Sequence, residues 1–259
     1  INYSGIDTMI VWGESKLKDK NASKALLGYG LKSNKYSIKR AHLCEDRQEM
    51  EEELHKLNLP RDFKLVITGG GRVGKGALEV IAKTNIKKVS PEDFLIKDFN
   101  FPVYTQLDVK DYVSRDDNKS FDKSEFFNDP IGHSSTFMKY AEVADLYVAC
   151  HYWDNRSPFI FTRNDMLHPN WKISVVADVS CDIDGPVACT LRPSTITHPF
   201  YGYDPKSQKE VDFLYKNTVG VMAVDNLPCE LPKDASEGFG TTFLEHVIPA
   251  FFNNDLIFV

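Results

Sequence analysis

The stretch that most restricts the fold of this chain is KLVITGGGRVGKGALEVI, from Lys64 to Ile81. Its first residues form a short, almost wholly apolar run, which is typical of a buried central strand in a parallel sheet. Glycines follow at Gly69, Gly71 and Gly74, and a helix-forming segment comes directly after them. A strand, a glycine turn and a helix in this order predict the first unit of an α/β fold with a doubly wound parallel sheet.

The rest of the chain repeats the alternation of strands and helices. The strand-like runs are IKKVS, FPVYTQL, ADLYVACHYW, KISVVADVSC and TVGVMAVDNLP. We expect a helix from Ala22 to Tyr29 that Gly30 ends, and an amphipathic helix over DASEGFGTTFLEHVIPAFF that Asp234 or Ser236 caps. The polar residues 108–135 are expected to form an excursion on the surface.

The bulk composition argues against several classes of protein. A formal net charge of −6 disfavours a general nucleic-acid binder, and no apolar run approaches the roughly 20 residues that a membrane span needs. The five cysteines are odd in number, widely spaced and without a CxxC pair, which disfavours disulfides and a zinc site. We therefore expect a reducing, cytoplasmic compartment. The apolar end LIFV could pack on a second copy of the chain, so a homo-oligomer stays open.

The glycines have the spacing GxGxxG, the fingerprint of a dinucleotide-binding turn. In such a turn the first glycine permits the bend, the second lets a pyrophosphate approach the backbone, and the third lets helix and strand pack closely. The N-terminus of the following helix would offer free N–H groups to the phosphates. The candidate cofactor contacts here are Gly69, Gly71, Arg72, Val73 and Gly74. The alternative is a tight structural turn without a ligand.

An acidic residue about 20 positions after the turn usually grips the adenosine ribose. Here the second predicted strand ends at Ser90, which would leave room for a 2′-phosphate, although Glu92 or Asp93 could still reach the ribose. Lys87, Lys88 and Arg72 slightly favour tolerance of that phosphate. The choice between NAD and NADP therefore stays open.

Polar and aromatic residues follow three of the later strands, at the rim where ligands of such sheets bind. They are His151, Tyr152 and Trp153 after the first of these strands, Asp178 and Asp182 after the second, and Asp225 and Asn226 after the third. The histidine could carry a proton, the aromatic rings could flank a nicotinamide, and the carboxylates could do acid–base work. Each residue alone is equally compatible with a core or loop-capping role.

Six segments, taken in chain order, resemble one known family over roughly residues 60–250. They are VITGGGRVGKGALEV, KVSPEDFL, FDKSEFFNDP, ACHYWDNRSPFIFTRNDM, ADVSCDIDGPVACTLRPSTITHPFYGYD and AVDNLPCELPKDASEGFG. The chain resembles the lysine–ketoglutarate reductase part of aminoadipic semialdehyde synthase. It is also similar to lysine-forming saccharopine dehydrogenase and, more widely, to the alanine dehydrogenase and transhydrogenase superfamily.

The resemblance implies a two-lobed NAD(P)-dependent oxidoreductase acting on CH–NH donors. Its substrates would be lysine, 2-oxoglutarate and saccharopine, with a hydride moving between nicotinamide and the carbon that bears the secondary amine. The resemblance gives Asp182 a catalytic role and places Asp225 and Asn226 among the cofactor contacts, and Asp178 is a further candidate contact. The acidic residue that relatives often have where Ser90 stands is missing here. An alanine dehydrogenase-like enzyme and a non-catalytic nucleotide-binding or oligomerisation domain are the alternatives.

The resemblance also predicts a division of the chain. Residues 1–60 would be an N-terminal remnant with inter-lobe hinge helices, and residues 61–232 a Rossmann-like NAD(P)-binding domain. Residues 233–259 would form a C-terminal helix that packs back on the hinge or on the other lobe. Relatives carry a further lobe with a lysine and a histidine for acid–base work. Since no segment here matches that lobe, we expect this chain to bind cofactor and to catalyse weakly by itself.

Overall fold

A computed structural model describes residues 20–225 and 227–252. The candidate contact Asn226 and the apolar end, Leu256 to Val259, lie outside those residues. Among the helices described, none is long and apolar enough to cross a membrane. The proposed division of the chain at residues 60 and 232 stays a prediction.

Ten strands are present in the described part of the chain. In chain order they are β1 (Lys64–Thr68), β2 (Lys87–Lys88), β3 (Val103–Leu107), β4 (Val113–Arg115), β5 (His133–Ser135), β6 (Leu146–Ala149), β7 (Val175–Asp178), β8 (Tyr201–Asp204), β9 (Lys209–Val211) and β10 (Val219–Met222). Eight of them form one sheet in the order β2-β3-β1-β6-β7-β10-β8-β9, and β4 pairs with β5 in a separate hairpin.

Helices lie before, between and after these strands. They are α1 (Lys20–Ser33), α2 (Arg47–Glu53), α3 (Arg72–Ile81), α4 (Pro91–Ile96), α5 (Val109–Tyr112), α6 (Lys123–Asn128), α7 (Met138–Ala141), α8 (Pro232–Thr242) and α9 (Ile248–Phe252). A π-helical turn, Phe243–Val247, joins the last two. Short 3₁₀ turns cover Ala41–Leu43, Leu54–Lys56, Asp165–Leu167 and Leu227–Glu230.

The predicted α/β class with a mostly parallel sheet is confirmed. Strands β2, β3, β1, β6, β7 and β10 run parallel, and β8 and β9 extend the sheet with antiparallel pairs. Four strands also end in register: Thr68 pairs with Leu107 on one side and Ala149 on the other, and Ala149 pairs with Asp178. The residues that follow these strands therefore meet at one rim, as the sequence predicted for the segments after Thr68, Ala149 and Asp178.

Two hydrophobic cores cover the two faces of the sheet, which explains the continuous apolar run in β1. Leu65 and Ile67 face one core, Val66 faces the other, and all three are fully buried. Helix α1 packs on the first core with Leu26 fully buried, a burial that contributes about 2 kcal/mol for one such side chain.

The C-terminal end of helix α1 differs from the one expected from the sequence. Gly30 does not end the helix, which continues to Ser33. A Cβ at Gly30 would lie 2.5 Å from the ring of Tyr36. The glycine therefore allows close packing inside the helix, and its usual helix-ending role is overridden by this tertiary contact.

Helix α8 likewise begins earlier than predicted. Pro232 occupies its first turn, where a proline's fixed φ fits and its missing N–H is no loss. Asp234 does not cap this helix, because its carboxylate accepts a hydrogen bond of 3.0 Å from the backbone N–H of Arg47. Ser236 lies within the helix.

Residues 108–135 are not a simple surface excursion. They form α5, the β4–β5 hairpin and α6, and they bury Val109, Tyr112, Val113 and Phe126 against the second core. The apolar residues scattered among polar ones supply this packing, and the segment becomes one wall of the cleft described next.

Candidate functional site

A cleft of about 970 Å³ opens at the carboxyl ends of β1, β3, β6 and β7. Gly69–Val73 line it after β1, Gln106–Val109 at the end of β3, and Cys150–Trp153 after β6. Asp182 lines it from the loop after β7. In the sheet, β3 lies on one side of β1 and β6 lies on the other. The cleft at the ends of these strands therefore lies where ligands of doubly wound sheets bind.

Two glycines of the fingerprint are required by the protein itself. Gly69 has a φ of +97°, and a Cβ there would lie 2.3 Å from the carbonyl oxygen of Cys150. A Cβ at Gly74 would lie 2.1 Å from the carbonyl oxygen of Gly69. Because of these contacts, a side chain at Gly69 or Gly74 would prevent the turn and the close packing of α3 against it, whether or not a ligand binds.

Gly71 is different, because nothing in the described part of the chain requires a glycine there. Its φ is −79°, and a Cβ would meet no atom within 4 Å. Gly71 is also the N-cap of α3, and no side chain caps that helix. The first N–H groups of α3, which a helix leaves without internal partners, therefore border an open space in the cleft. This arrangement suits a phosphate that approaches the backbone closely.

Gln106 was not identified from the sequence as a residue of the site. Its side-chain Nε2 donates a hydrogen bond of 2.9 Å to the carbonyl oxygen of Gly69, and it lines the cleft. This bond ties the end of β3 to the glycine turn. Arg72, exposed, and Val73, partly buried, line the cleft at the start of α3.

Asp108 is the second residue that the sequence reasoning missed. It follows β3, the strand that lies beside β1, and Lys123 Nζ donates to its two carboxylate oxygens at 2.8 and 2.9 Å. Burial opposes ionisation of Asp108, but hydrogen bonds from Lys123 and from the N–H of Val109 outweigh it and lower the pKa. An ionised carboxylate therefore stands in the cleft one strand away from the glycine turn.

Ser90 does not line this cleft. Strand β2 lies outside β3, so its end is one strand farther from β1 than in the order that the sequence rule assumes. Ser90 accepts a hydrogen bond of 3.0 Å from the N–H of Asp93 and begins α4. It borders a neighbouring recess of about 530 Å³ with Lys88 and Lys110. Gln106 and Asp108 border both spaces.

His151 is buried in the wall of the cleft, with 7% of its surface exposed. Its Nδ1 lies 2.9 Å from Thr68 Oγ1, and that oxygen lies 2.8 Å from the hydroxyl of Tyr147. Burial lowers the pKa of His151 to about 4, so the ring is neutral near pH 7. His151, which the sequence suggested as a proton carrier, is therefore a neutral hydrogen-bonding group in this structure.

The two aromatic residues after His151 also line the cleft. Tyr152 is 83% exposed, whereas Trp153 is partly buried and donates from Nε1 to the carbonyl oxygen of Pro158 at 3.3 Å. The ring of Trp153 meets Phe159 edge-on, with centroids 5.8 Å apart. The indole is thus fixed at the edge of the cleft.

The aspartates after β7 separate into different roles. Asp178 is fully buried, and it accepts hydrogen bonds from Ser180 Oγ at 2.7 Å and from Thr190 Oγ1 at 2.6 Å. Burial raises its pKa, although these hydrogen bonds oppose the shift. Asp178 does not line the cleft, and it holds the loop that carries Asp182 into it. The expected direct contact of Asp178 with a cofactor is thus not supported.

Asp182 is the member of this group that faces the cleft. It is partly exposed, and a tight turn follows it, in which the N–H of Gly185 donates to the carbonyl oxygen of Asp182 at 3.1 Å. Asp184 pairs instead with Arg163 on the surface at 3.1 Å. Asp225 is exposed and does not line the cleft. Within the described ranges, no group of histidine, cysteine and acidic side chains is arranged to hold a metal ion.

The last residue of the Leu227–Glu230 turn, Glu230, does not line the cleft and binds to the first helix instead. Glu230 is fully buried and forms an ion pair with the buried Lys24 of α1. The Nδ1 atom of His42 lies 3.8 Å from the second carboxylate oxygen of Glu230. This cluster fixes the segment that follows Asp225 to the first helix.

Comparison with known proteins agrees with the resemblance drawn from the sequence. No family model matches the chain. Alpha-aminoadipic semialdehyde synthase of Arabidopsis thaliana is 28% identical over 197 residues, which cover 68% of this chain and 18% of the relative. The lysine-forming, NAD(+) saccharopine dehydrogenase of Schizosaccharomyces pombe is 28% identical over 105 residues, or 40% of this chain and 27% of the relative.

Among solved structures, an L-alanine dehydrogenase superposes on 95% of this chain and 56% of its own length, with a TM-score of 0.50 and 15% identity. This likeness supports the fold alone. The chain has homologues named alpha-aminoadipic semialdehyde synthase and saccharopine dehydrogenase, as the sequence motifs indicated. It spans about a fifth of the length of the semialdehyde synthases that it matches.

Proposed function

We propose that the cleft binds a nicotinamide dinucleotide and that the chain is the cofactor-binding part of an amino-acid oxidoreductase. The observation that carries this proposal is the open space at Gly71, which no contact among the described residues explains. That space lies over the uncapped N-terminus of α3 and at the meeting point of β1 and β6. A pyrophosphate at this position would receive the free N–H groups of the helix.

The preferred cofactor in this proposal is NAD(H). Asp108 stands at the end of the strand next to β1, where a carboxylate can accept hydrogen bonds from both hydroxyls of an adenosine ribose. The same carboxylate would repel a 2′-phosphate. Lys123 neutralises part of this charge, so we expect weaker NADPH binding rather than none.

The proposed reaction is hydride transfer between nicotinamide and the carbon that bears the secondary amine of saccharopine. The names of the sequence relatives support this class of substrate. A bound cofactor would supply the hydride chemistry, and the protein would supply orientation and charge. Asp182 is the proposed catalytic residue, since it lines the cleft from the loop after β7 and its carboxylate could stabilise positive charge on the substrate nitrogen.

The test is calorimetric titration of the chain with NADH and NADPH, followed by activity assays. We expect NADH to bind at least tenfold more tightly than NADPH. Lysine with 2-oxoglutarate, assayed against pyruvate with ammonia, separates a saccharopine-forming enzyme from an alanine dehydrogenase. Because the chain spans about a fifth of its semialdehyde synthase relatives, we expect binding without normal turnover. Binding of neither nucleotide would favour a non-catalytic domain.

A further inference from the structure

Three buried polar groups form a small triangle in the wall of the cleft. Oγ1 of Thr68 lies 2.8 Å from the hydroxyl of Tyr147 and 2.9 Å from Nδ1 of His151, and Tyr147 and His151 are 3.5 Å apart. Tyr147 and Thr68 are fully buried. Within the described residues these groups have only one another as hydrogen-bond partners for their side chains. Their protons must therefore be placed within this triangle.

The placement of these protons determines the tautomer of His151. If Tyr147 donates to Thr68 and Thr68 donates to Nδ1, both hydroxyl protons have acceptors and Nδ1 carries none. If Nδ1 carried the proton and donated to Thr68, the proton of either Thr68 or Tyr147 would lack an acceptor. A buried donor without an acceptor is costly. The arrangement therefore favours a neutral ring that is protonated at Nε2.

The other ring nitrogen of His151, Nε2, takes no part in this triangle. It is buried and has no hydrogen-bond partner in the described part of the structure. No charged side chain of that part lies within ion-pair distance of the ring, and the edge of Tyr112 faces it at a centroid distance of 6.4 Å. His151 lines the cleft directly beside the turn at Gly69, and an acceptor atom of a molecule bound there is one candidate partner for Nε2.

We propose that His151 is a binding residue whose neutral Nε2–H donates to an acceptor oxygen on the distal half of a bound dinucleotide. This proposal rests on the proposed function. Gly71 and α3 hold the pyrophosphate in that function, and His151 lies on the β6 side of the turn, away from Asp108 and the adenosine end. The acceptor is then an oxygen of the distal phosphate or of the nicotinamide ribose. Thr68 and Tyr147 are positioning residues that fix the tautomer.

The first test compares ligands of increasing length. AMP, ADP, ADP-ribose and NADH are titrated into the wild-type chain and into the variants His151→Leu and His151→Gln. We expect His151→Leu to weaken ADP-ribose and NADH binding about tenfold, the effect of one lost hydrogen bond, and to leave AMP binding unchanged. His151→Gln, which keeps an amide donor, should recover most of the loss. A loss with ADP identifies the phosphate, and a loss that begins at ADP-ribose identifies the ribose.

The second test observes the ring directly. Nitrogen-15 NMR of His151 should report the Nε2–H tautomer in the free chain, and its Nε2 signal should move when ADP-ribose binds. Thr68→Val, which removes the hydroxyl and keeps the shape, should allow the other tautomer to appear. A protonated Nδ1 in the wild-type chain, or an Nε2 signal that stays in place with ADP-ribose bound, would overturn the inference.

The two proposals fail in different ways. If the wild-type chain binds none of the four nucleotides, the proposed function is wrong and His151 has no dinucleotide to bind. If the wild-type chain binds NADH and the folded His151→Leu variant binds it equally well, only the role of His151 is wrong. Far-ultraviolet circular dichroism and urea unfolding of each variant establish that it is folded.

Discussion

Lys123 holds the carboxylate of Asp108 with two hydrogen bonds, its Nζ lying 2.8 Å from one oxygen and 2.9 Å from the other. This pair sets the cofactor preference in our account. Asp108→Asn removes the negative charge but keeps an oxygen that can cap α5. We expect it to weaken NADH binding about tenfold and to improve NADPH binding relative to NADH.

Lys123→Met should move the preference between NADH and NADPH in the opposite direction. Without the ammonium group, the charge on Asp108 is no longer partly neutralised, so repulsion of a 2′-phosphate grows. We expect NADPH binding to weaken several-fold more than NADH binding, as measured by calorimetric titration of both variants. If the two substitutions shift the preference in the same direction, Asp108 does not contact the adenosine ribose.

Gly74 and Gly240 form a matched pair for testing the role of close packing. A Cβ at Gly74 would collide with the backbone oxygen of Gly69 at 2.1 Å, whereas a Cβ at Gly240 in α8 meets no atom within 4 Å. Gly74→Ala should lower the free energy of unfolding by about 3 kcal/mol. Gly240→Ala should raise it by about 0.5 kcal/mol because alanine favours helix. Urea unfolding checks both, and equal effects would contradict the packing described for the turn.

His151 should make stability depend on pH. Burial lowers its pKa from 6.5 to about 4, so between those values the unfolded chain binds a proton that the folded chain excludes. The free energy of unfolding should therefore rise with pH across this window, by up to about 1.4 kcal/mol per pH unit, and this contribution is constant above it. Tyr112 and Tyr147 beside the ring have raised pKa values and stay neutral.

Comparison of the wild-type chain with His151→Gln isolates this contribution. Other groups, such as the buried Asp178, titrate in both proteins and cancel in the difference. Urea unfolding at several values between about pH 5 and pH 8 should show the two stabilities diverging as the pH falls below 6.5. Parallel curves would show that the folded chain accepts the proton on His151 readily.

The buried ion pair of Lys24 and Glu230 should be strongly coupled. Burial lowers the pKa of Lys24, and the attraction of Glu230 opposes that shift. Lys24→Met or Glu230→Met alone leaves one buried charge without its partner and should destabilise the chain by about 3 to 5 kcal/mol. The double variant Lys24→Met/Glu230→Met should recover most of that loss. Additive losses in a double-mutant cycle would mean that the two groups do not interact.

Much of the fold could be predicted from the sequence, because the signals were local. The apolar run of β1, the glycine turn and α3 lie next to one another in the chain, and each limits the others. Gly30 shows where local rules fail, since its role depends on the ring of Tyr36 and not on its neighbours in the helix. The packing of residues 108–135 also depends on the second core, which includes residues far away in the chain.

The candidate site was predicted only in part. The glycine turn, His151 and Asp182 were found because they follow strands directly, and all of them line the cleft. Asp108 was missed because counting about 20 residues from the turn leads to the end of β2, whereas β3 is the strand beside β1. An acidic residue directly after the apolar run VYTQL was the available signal. The burial of Asp178 could not be predicted from its neighbours, because one of its hydrogen-bond partners, Thr190, lies 12 residues later.

The most direct test of the central claim is NADH binding to Gly71→Ala, with Gly240→Ala as the control. No contact with residues 20–225 or 227–252 opposes a methyl group at either position. We predict that Gly71→Ala stays folded, loses about 1 kcal/mol of stability because alanine is a poorer N-cap than glycine, and loses at least tenfold in NADH affinity, while Gly240→Ala keeps both its fold and its affinity. A stable Gly71→Ala chain that binds NADH as tightly as the wild type would contradict a pyrophosphate site at this turn.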